Sequence, residues 1–301
     1  MCSNYFGIPA VYYLLFTALD MYIEPALLLK YTNEHSRFLV MNNNHLLHYR
    51  DEGTGYPVLC LHGAFSSLHT FNSWAKRLTP HFRIIRFDMP GFGLTGAIPE
   101  NDYTIGQYLH YIDEFLTIMH IDKCHVVGSS LGGWMAWEYA LARPERVDKL
   151  MLIDSAGFLD IKSVPTPFML ARIPLAGNVM KIAARRDLIE LFLHQVYFHQ
   201  EKITEKLVDR YFDLFTRPGN QEAFYALVNQ RFKDNTHYLR RITQPTLVMW
   251  GEQDKWLPVE NAHRFLNLIP HSEGIIYQNA GHIPMEEIPS QTAVDAIAFL
   301  K

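Results

Sequence analysis

One serine of the chain has the surroundings of an enzyme nucleophile. Residues 125–133 read His-Val-Val-Gly-Ser-Ser-Leu-Gly-Gly, which contains G-x-S-x-G with Ser130 at its centre. An apolar run precedes this pattern and a helical run follows it, which is the context that the motif requires. A serine on such a strained turn needs small neighbours two residues away, and Gly128 and Gly132 meet that need. The pattern predicts Ser130 as the nucleophile, with Ser129 pointing away from the turn.

A serine hydroxyl needs an imidazole as base and a carboxylate that orients the imidazole. His282 follows Gly281 in a turn after an apolar run, and Asp254 follows a turn led by Gly251 after another such run. Asp154, which follows the preceding run, is the rival acid. Both acids lie between Ser130 and His282 in the chain, and we favour Asp254 because a turn led by Gly251 presents it after its apolar run; the choice stays open at this level.

The segment after Ser130 is predicted to bind a developing negative charge. The Leu131 backbone N–H and the amino terminus of a helix over 134–142 face the oxygen that becomes an oxyanion when a carbonyl is attacked. This chemistry is acyl transfer to water, and it needs no cofactor.

Other histidines are not expected to take part. His263 and His271 lie outside the Gly-His turn and are predicted to be on the surface. His45 and His48 are three residues apart in an extended segment, where they point to opposite faces. They are interpreted as structural or exposed residues, and no metal site is predicted.

The elements that must position these residues alternate between strand and helix. After an opening hairpin over 37–49, four apolar runs are predicted as buried central strands of a mostly parallel sheet, and a later pair of runs is predicted to complete that sheet. They cover residues 57–61, 83–87, 125–127, 149–153, 246–250 and 274–277. Between the fourth and fifth runs, residues 160–241 show a helical pattern without comparable strands. The sequence therefore predicts an α/β core over 36–159 and 242–301 with an inserted helical cap.

Composition excludes several other classes. With 49% hydrophobic and 19% charged residues, the chain has the composition of a soluble globular protein. A formal net charge of −4 leaves no basic field for nucleic acid. Cys2, Cys60 and Cys124 are too scattered for a disulfide framework, and Cys60 is predicted to be a buried free thiol.

From Arg37 to Lys301 the chain resembles the α/β-hydrolase superfamily, on the motifs above and two more. Residues 61–65, Leu-His-Gly-Ala-Phe, look like its HG oxyanion loop, and residues 88–95 look like its turn after the next strand. The resemblance implies that the second oxyanion N–H comes from Ala64 or Phe65.

The same resemblance separates the chain from some relatives. Haloalkane dehalogenases and epoxide hydrolases of this fold use an aspartate where this chain has Ser130, so their chemistry is not expected. His62, Asp88, Gly91 and Gly93 are then structural supports without a chemical role.

The expected substrate is an uncharged ester with an apolar acyl or aryl group, because the predicted rim is apolar. The rim residues are Phe65, Trp134, Phe158, Trp256 and Ile283. Two alternatives stay open. One is a C–C bond hydrolase of aromatic ring-cleavage products, which would hold an acidic dienoate with Arg185, Arg186 or Arg231. The other is a hydrolase-fold ligand receptor with slow turnover.

The amino terminus, residues 1–35, is predicted to be an apolar helical segment. Residues 6–23 are apolar except for Asp20, and their length is close to the roughly 20 residues that cross a bilayer. The segment lacks the basic start and the cleavage site of a signal peptide, so secretion is not expected. Two interpretations remain: peripheral or single-helix membrane association, and a cytoplasmic protein in which residues 11–29 pack on the body.

Overall fold

A computed structural model describes residues 23–158 and 185–301 of the chain. Its centre is an eight-stranded sheet with the order β1-β2-β4-β3-β5-β6-β7-β8. The strands are β1 (Ser36–Val40), β2 (Leu46–Glu52), β3 (Pro57–Leu61), β4 (Arg83–Phe87), β5 (Cys124–Ser129), β6 (Val147–Ile153), β7 (Thr246–Gly251) and β8 (Ser272–Tyr277). The six predicted strands and the opening hairpin are all present, and β8, at the edge of the sheet, is the least buried of the six.

The pairing of the strands explains the sequence pattern. The β1–β2 and β2–β4 pairs are antiparallel, and every pair from β4 through β3 to β8 is parallel. β5 and β7 are buried along their whole length because both faces of a central parallel sheet are covered by helices. The parallel strands bring the residues that follow β3, β5, β6, β7 and β8 to one edge of the sheet.

Helices cover the sheet and complete the core. They are α1 (Pro25–Tyr31), α2 (Asn72–Leu78), α3 (Ile105–Ile118), α4 (Leu131–Ala142), α5 (Arg186–Val196), α6 (Glu205–Thr216), α7 (Asn220–Val228), α8 (Glu260–Leu268), α9 (Pro284–Glu287) and α10 (Pro289–Leu300). Helix α4 is mostly apolar, and its residues 131–140, which include Glu138, are all buried. The helix begins at Leu131, earlier than the sequence pattern predicted, because the turn at Ser130 leads into it directly.

The described part of the insertion between β6 and β7 is built from helices joined by loops. Residues 185–241 contain α5, α6, α7 and two short 3₁₀ turns, with no strand in that range. Residues 160–184 of the predicted cap lie outside the described residues. We use the word cap below for residues 185–241.

The described part of the amino-terminal segment packs on the body. In α1 the buried residues Leu27 and Leu28 form a small apolar cluster with Leu94 and Leu214. The Tyr31 hydroxyl donates a 2.6 Å hydrogen bond to Asp213 of α6. The prediction for residues 6–22 lies outside the described residues. In the two ranges that are described, none of the helices has the length and apolarity that a bilayer crossing requires.

Candidate active site

Ser130 occupies a strained turn between β5 and α4. Its backbone has φ 54° and ψ −118°, a conformation that L-residues seldom adopt. The two glycines of the motif allow this turn. A Cβ on Gly128 would lie 2.2 Å from the carbonyl oxygen of Gly132, and a Cβ on Gly132 would lie 2.2 Å from that of Leu61. Close backbone packing therefore explains the spacing of G-x-S-x-G.

The structure brings Ser130, His282 and Asp254 into one hydrogen-bonded line. Ser130 Oγ lies 3.0 Å from His282 Nε2, and His282 Nδ1 lies 2.7 Å from Asp254 Oδ2. With the Nδ1 proton on the side of Asp254, Nε2 is free to accept the serine proton. Ser129 Oγ is buried and has no hydrogen-bond partner among the described residues.

Asp254 is held in place by its own loop. Its Oδ1 accepts hydrogen bonds from the backbone N–H groups of Trp256 (2.7 Å) and Leu257 (3.0 Å). The loops that carry Asp254 and His282 touch through their glycines, because a Cβ on Gly251 would lie 2.0 Å from the carbonyl oxygen of Gly281. Gly251 is therefore required by contact between the two loops, whereas a Cβ on Gly281 would lie 2.4 Å from the carbonyl oxygen of Val196.

Asp154, the rival acid, has a different position. Its Oδ1 accepts the backbone N–H of Gly251 at 3.0 Å, and its Oδ2 has no hydrogen-bond partner among the described residues, so it makes no hydrogen bond to His282. One ligand atom from each of Asp154, Asp254 and His282 falls within 4.8 Å of the others, a spacing seen in metal sites. The direct 2.7 Å bond between Asp254 and His282 instead fits a proton between them.

The HG loop lies beside the serine. A Cβ on Gly63 would lie 3.0 Å from the Cβ of Ser130, so the loop backbone passes directly over the nucleophile. His62 donates from Nδ1 to the Gly63 carbonyl and accepts the Met89 N–H at Nε2. Burial lowers the pKa of His62, in keeping with this neutral, structural arrangement. Phe65 has φ 60°, so the loop turns sharply where the second oxyanion donor is expected.

A cavity over Ser130 is lined by both the core and the cap. Its lining includes Ala64, Trp256 and Ile283 from the core, and Phe192 and Val196 from α5. The ring of Phe65 packs behind this wall, with its centroid 5.1 Å from that of Phe192 and 4.1 Å from that of Phe224. Of the predicted rim residues, Trp256 and Ile283 therefore line the cavity, whereas Phe65 packs behind its wall and is not among the described lining residues.

Trp134 and Phe158 are placed elsewhere and are not among the described residues that line this cavity. The Trp134 indole donates to Glu138 one turn along α4 and packs on Phe232. The ring of Phe158 packs on Phe265, with the guanidinium of Arg264 3.7 Å from its centroid. Both residues were predicted to lie at the rim because they are near Ser130 or a strand end in the sequence. The direction of α4 and the packing around Phe158 place their side chains elsewhere.

One side of the cavity is polar, which the sequence did not indicate. Ser66, Thr70 and Tyr211 line it. Behind them the Glu286 carboxylate accepts hydrogen bonds from Thr70, Tyr197 (2.9 Å), Tyr211 (3.2 Å) and Arg210 (2.7 Å). Burial acts against the charge of Arg210, but its interactions with Glu286, Tyr211 and Tyr197 together outweigh burial and raise the arginine pKa. The partners come from distant segments, so no local motif marks this cluster.

Glu287 joins the cap to the loop of His282. Its side chain is fully buried, and its Oε1 accepts the Gly281 N–H at 2.7 Å. Its Oε2 accepts the N–H groups of Phe198 and His199 at 2.8 and 2.9 Å. Burial raises the pKa of Glu287, and the three backbone donors oppose that rise. The backbone N–H of His282 also donates to the Val196 carbonyl at 2.8 Å. The imidazole is therefore supported from the cap.

Glu287→Gln is expected to lower the free energy of unfolding by about 2 kcal/mol, because an amide NH₂ group cannot accept from the N–H donors that face it. It should also lower kcat, since the turn before His282 loses its anchor. Urea unfolding and steady-state kinetics would measure both. Glu273→Gln, at an exposed position of β8, is the matched control and should change neither. Equal stability of the two variants would contradict the role of Glu287.

Comparison with known proteins places this geometry in a family. A model of the family described as alpha/beta hydrolase fold matches residues 56–289. The chain is 29% identical over 262 residues to a 2-hydroxy-6-oxo-6-(2'-aminophenyl)hexa-2,4-dienoic acid hydrolase of Metapseudomonas resinovorans, covering 84% of this chain and 86% of the relative. It is 27% identical over 262 residues to Lipase 3 of Moraxella sp. (strain TA144), covering 83% and 78%. The crystal structure of a membrane phospholipase A superimposes with a TM-score of 0.77 at 25% identity, covering 96% of this chain and 91% of that one.

Proposed function

Because the chain belongs to the alpha/beta hydrolase fold family, we propose that it is a serine hydrolase that cleaves a carboxylic ester with an apolar acyl or aryl group. The observation that carries this proposal is the hydrogen-bonded line from Ser130 Oγ through His282 to Asp254. This line supplies a base for the hydroxyl and a fixed tautomer for the base.

In the proposed mechanism, Ser130 Oγ attacks the ester carbonyl while His282 Nε2 takes the serine proton. The N–H groups of Leu131 and of the loop at Ala64 and Phe65 hold the oxyanion of the tetrahedral intermediate. Its collapse leaves an acyl group on Ser130 and releases the alcohol, which takes the proton from His282. Water, deprotonated by His282, then attacks the acyl-enzyme and releases the acid.

The charge of the cavity favours an ester over an acidic dienoate. None of the described residues that line it is Lys or Arg. Arg210, behind the polar wall, is already paired with Glu286, so this ion pair has no net positive charge to hold a substrate carboxylate. Charged groups in an enclosed site interact more strongly than in water.

The three arginines proposed as dienoate holders do not line the cavity. Arg185 pairs with Asp187 on the surface, and Arg186 pairs with Asp209 and Glu205. Arg231 is exposed. None of the three arginines is therefore placed to hold a dienoate in the cavity, as the C–C hydrolase alternative requires. One relative bears the name of a dienoic acid hydrolase and another that of a lipase, so the alternative is kept for the experiment.

The experiment compares p-nitrophenyl esters of increasing chain length with a ring-cleavage dienoate, using purified protein and Ser130→Ala as the blank. If the protein is an ester hydrolase, we expect multiple turnovers on the esters and little hydrolysis of the dienoate. A dienoate kcat/KM far above that of every ester would establish C–C cleavage instead. A single equivalent of product, with no further turnover, would favour the slow ligand receptor.

We expect the cap to set chain-length preference through Phe192, because its ring packs on both Phe65 and Trp256 at the cavity wall. Phe192→Ala should shift the ratio of kcat/KM for long over short esters by about tenfold, since each methylene accommodated in an apolar pocket favours the longer substrate. The ester series measures this ratio. Leu191→Ala, on the exposed face of the same helix, is the control and should leave the ratio unchanged.

A further inference from the structure

Two buried carboxyl groups lie next to each other at the acid end of the site. Asp154 is completely buried, and Asp254 is 8% exposed. A carboxyl oxygen of each lies within 4.8 Å of the other and of a ring nitrogen of His282. Two carboxylates at this distance in a buried site cannot both hold a full negative charge without a cation to compensate them.

The hydrogen bonds show which group holds the negative charge. Asp254 accepts three N–H bonds, from Trp256, Leu257 and His282. Asp154 accepts one, from Gly251 at its Oδ1, and its buried Oδ2 has no hydrogen-bond donor among the described residues. Donors stabilise a carboxylate, so Asp254 is the ionised member. An acidic O–H on Asp154 Oδ2 would satisfy that atom.

We propose that Asp154 is protonated in the folded protein and donates a hydrogen bond from Oδ2 to the Asp254 carboxylate, so that the two groups share one negative charge. Asp154 is then a positioning residue. It holds the Gly251 backbone with one oxygen and the carboxylate that orients His282 with the other. The protonation itself does not depend on the proposed function, but its effect on catalysis does.

The groups that face Asp154 from neighbouring elements agree with this assignment. Glu287 and Tyr277 interact with it electrostatically, and neither supplies a positive charge. The remaining partner, His282, already donates from Nδ1 to Asp254. Burial, followed by the negative charge of Asp254, raises the pKa of Asp154 well above its ordinary value.

Asp154→Asn is a suitable probe because Asn keeps the shape and a donor. It also tolerates the positive φ of 42° at this position, which Ala would not. The first measurement is infrared absorption at neutral pH of protein labelled with ¹³C at the aspartate side-chain carboxyl. We expect a carboxylic acid C=O band that carries the isotope shift in the wild type and is absent from Asp154→Asn.

The infrared result needs no active enzyme, so Ser130→Ala should give the same band. Absence of the band from the wild type would overturn the proposal even if Asp154→Asn failed to fold. Persistence of the band in a folded Asp154→Asn would also overturn it.

A second measurement uses urea unfolding at several pH values between about pH 6 and 8. The pH dependence of the unfolding constant gives the number of protons that the protein releases on unfolding. Asp154 binds a proton when folded and releases it when unfolded, so its contribution to stability falls as pH rises from the ordinary aspartate range towards its raised pKa. We expect the wild-type unfolding constant to rise with pH by an extra factor of about ten per unit relative to Asp154→Asn, which corresponds to one proton. Equal slopes for the two proteins would contradict a protonated Asp154.

Discussion

Ser130→Ala is expected to lower kcat on the best ester by on the order of 10⁴-fold or more, because the change removes the only atom that forms the acyl-enzyme. Labelling by a fluorophosphonate should disappear with it. Folding should change little, since Ala keeps the small volume that the turn beside Gly63 requires. Active-site titration, ester kinetics and thermal unfolding measure the three effects.

Ser129→Ala is the matched control for this variant. Ser129 precedes the nucleophile, but its Oγ contacts no hydrogen-bond partner among the described residues, so both labelling and turnover should persist. Labelling that survives in Ser130→Ala and vanishes in Ser129→Ala would move the nucleophile by one residue and refute the proposed mechanism.

Asp254→Asn is expected to lower kcat by about 10³- to 10⁴-fold while preserving the fold. The amide can donate to His282 Nδ1, which would place the ring proton on Nε2 and leave no acceptor for the serine proton. Because Trp256 and Leu257 can still donate to the Asn oxygen, the loop should keep its shape. Esterase kinetics and the thermal midpoint test both parts of this expectation.

Glu252→Gln changes an exposed carboxylate in the same loop and should leave kcat as in the wild type. A loss for Asp154→Asn that exceeded the loss for Asp254→Asn would instead identify Asp154 as the acid. The 2.7 Å bond from His282 Nδ1 to Asp254 Oδ2 is the reason that we expect the opposite ranking.

The sheet was predictable because its signals are local. The buried strands are apolar runs with turn residues at their ends, and the turn at Ser130 has glycines that backbone contact requires. Cys60 is a buried free thiol, and His263 and His271 are exposed, as predicted. His48 is buried against Asp88, which agrees with a structural role.

The supports of the site were not predictable, because they depend on contacts between distant segments. Glu286 and Glu287 look alike in sequence as charged residues of a short helix. One contacts Arg210 and two tyrosines of the cap, whereas the other binds only backbone N–H groups. The choice between Asp154 and Asp254 also required coordinates, since both follow buried strands that end at the same edge of the sheet.

The hydrogen bonds between the cap and the His282 loop limit how this protein can be re-engineered. In a chimera with a foreign cap in place of residues 185–241, these bonds would survive only if the new backbone placed a carbonyl where Val196 has one and two N–H groups where Phe198 and His199 have theirs. A cap that changed substrate selectivity without these backbone groups would also displace the imidazole of His282. The transferable module is the cap together with residues 281–287, and recombination libraries should place their crossover points outside both segments.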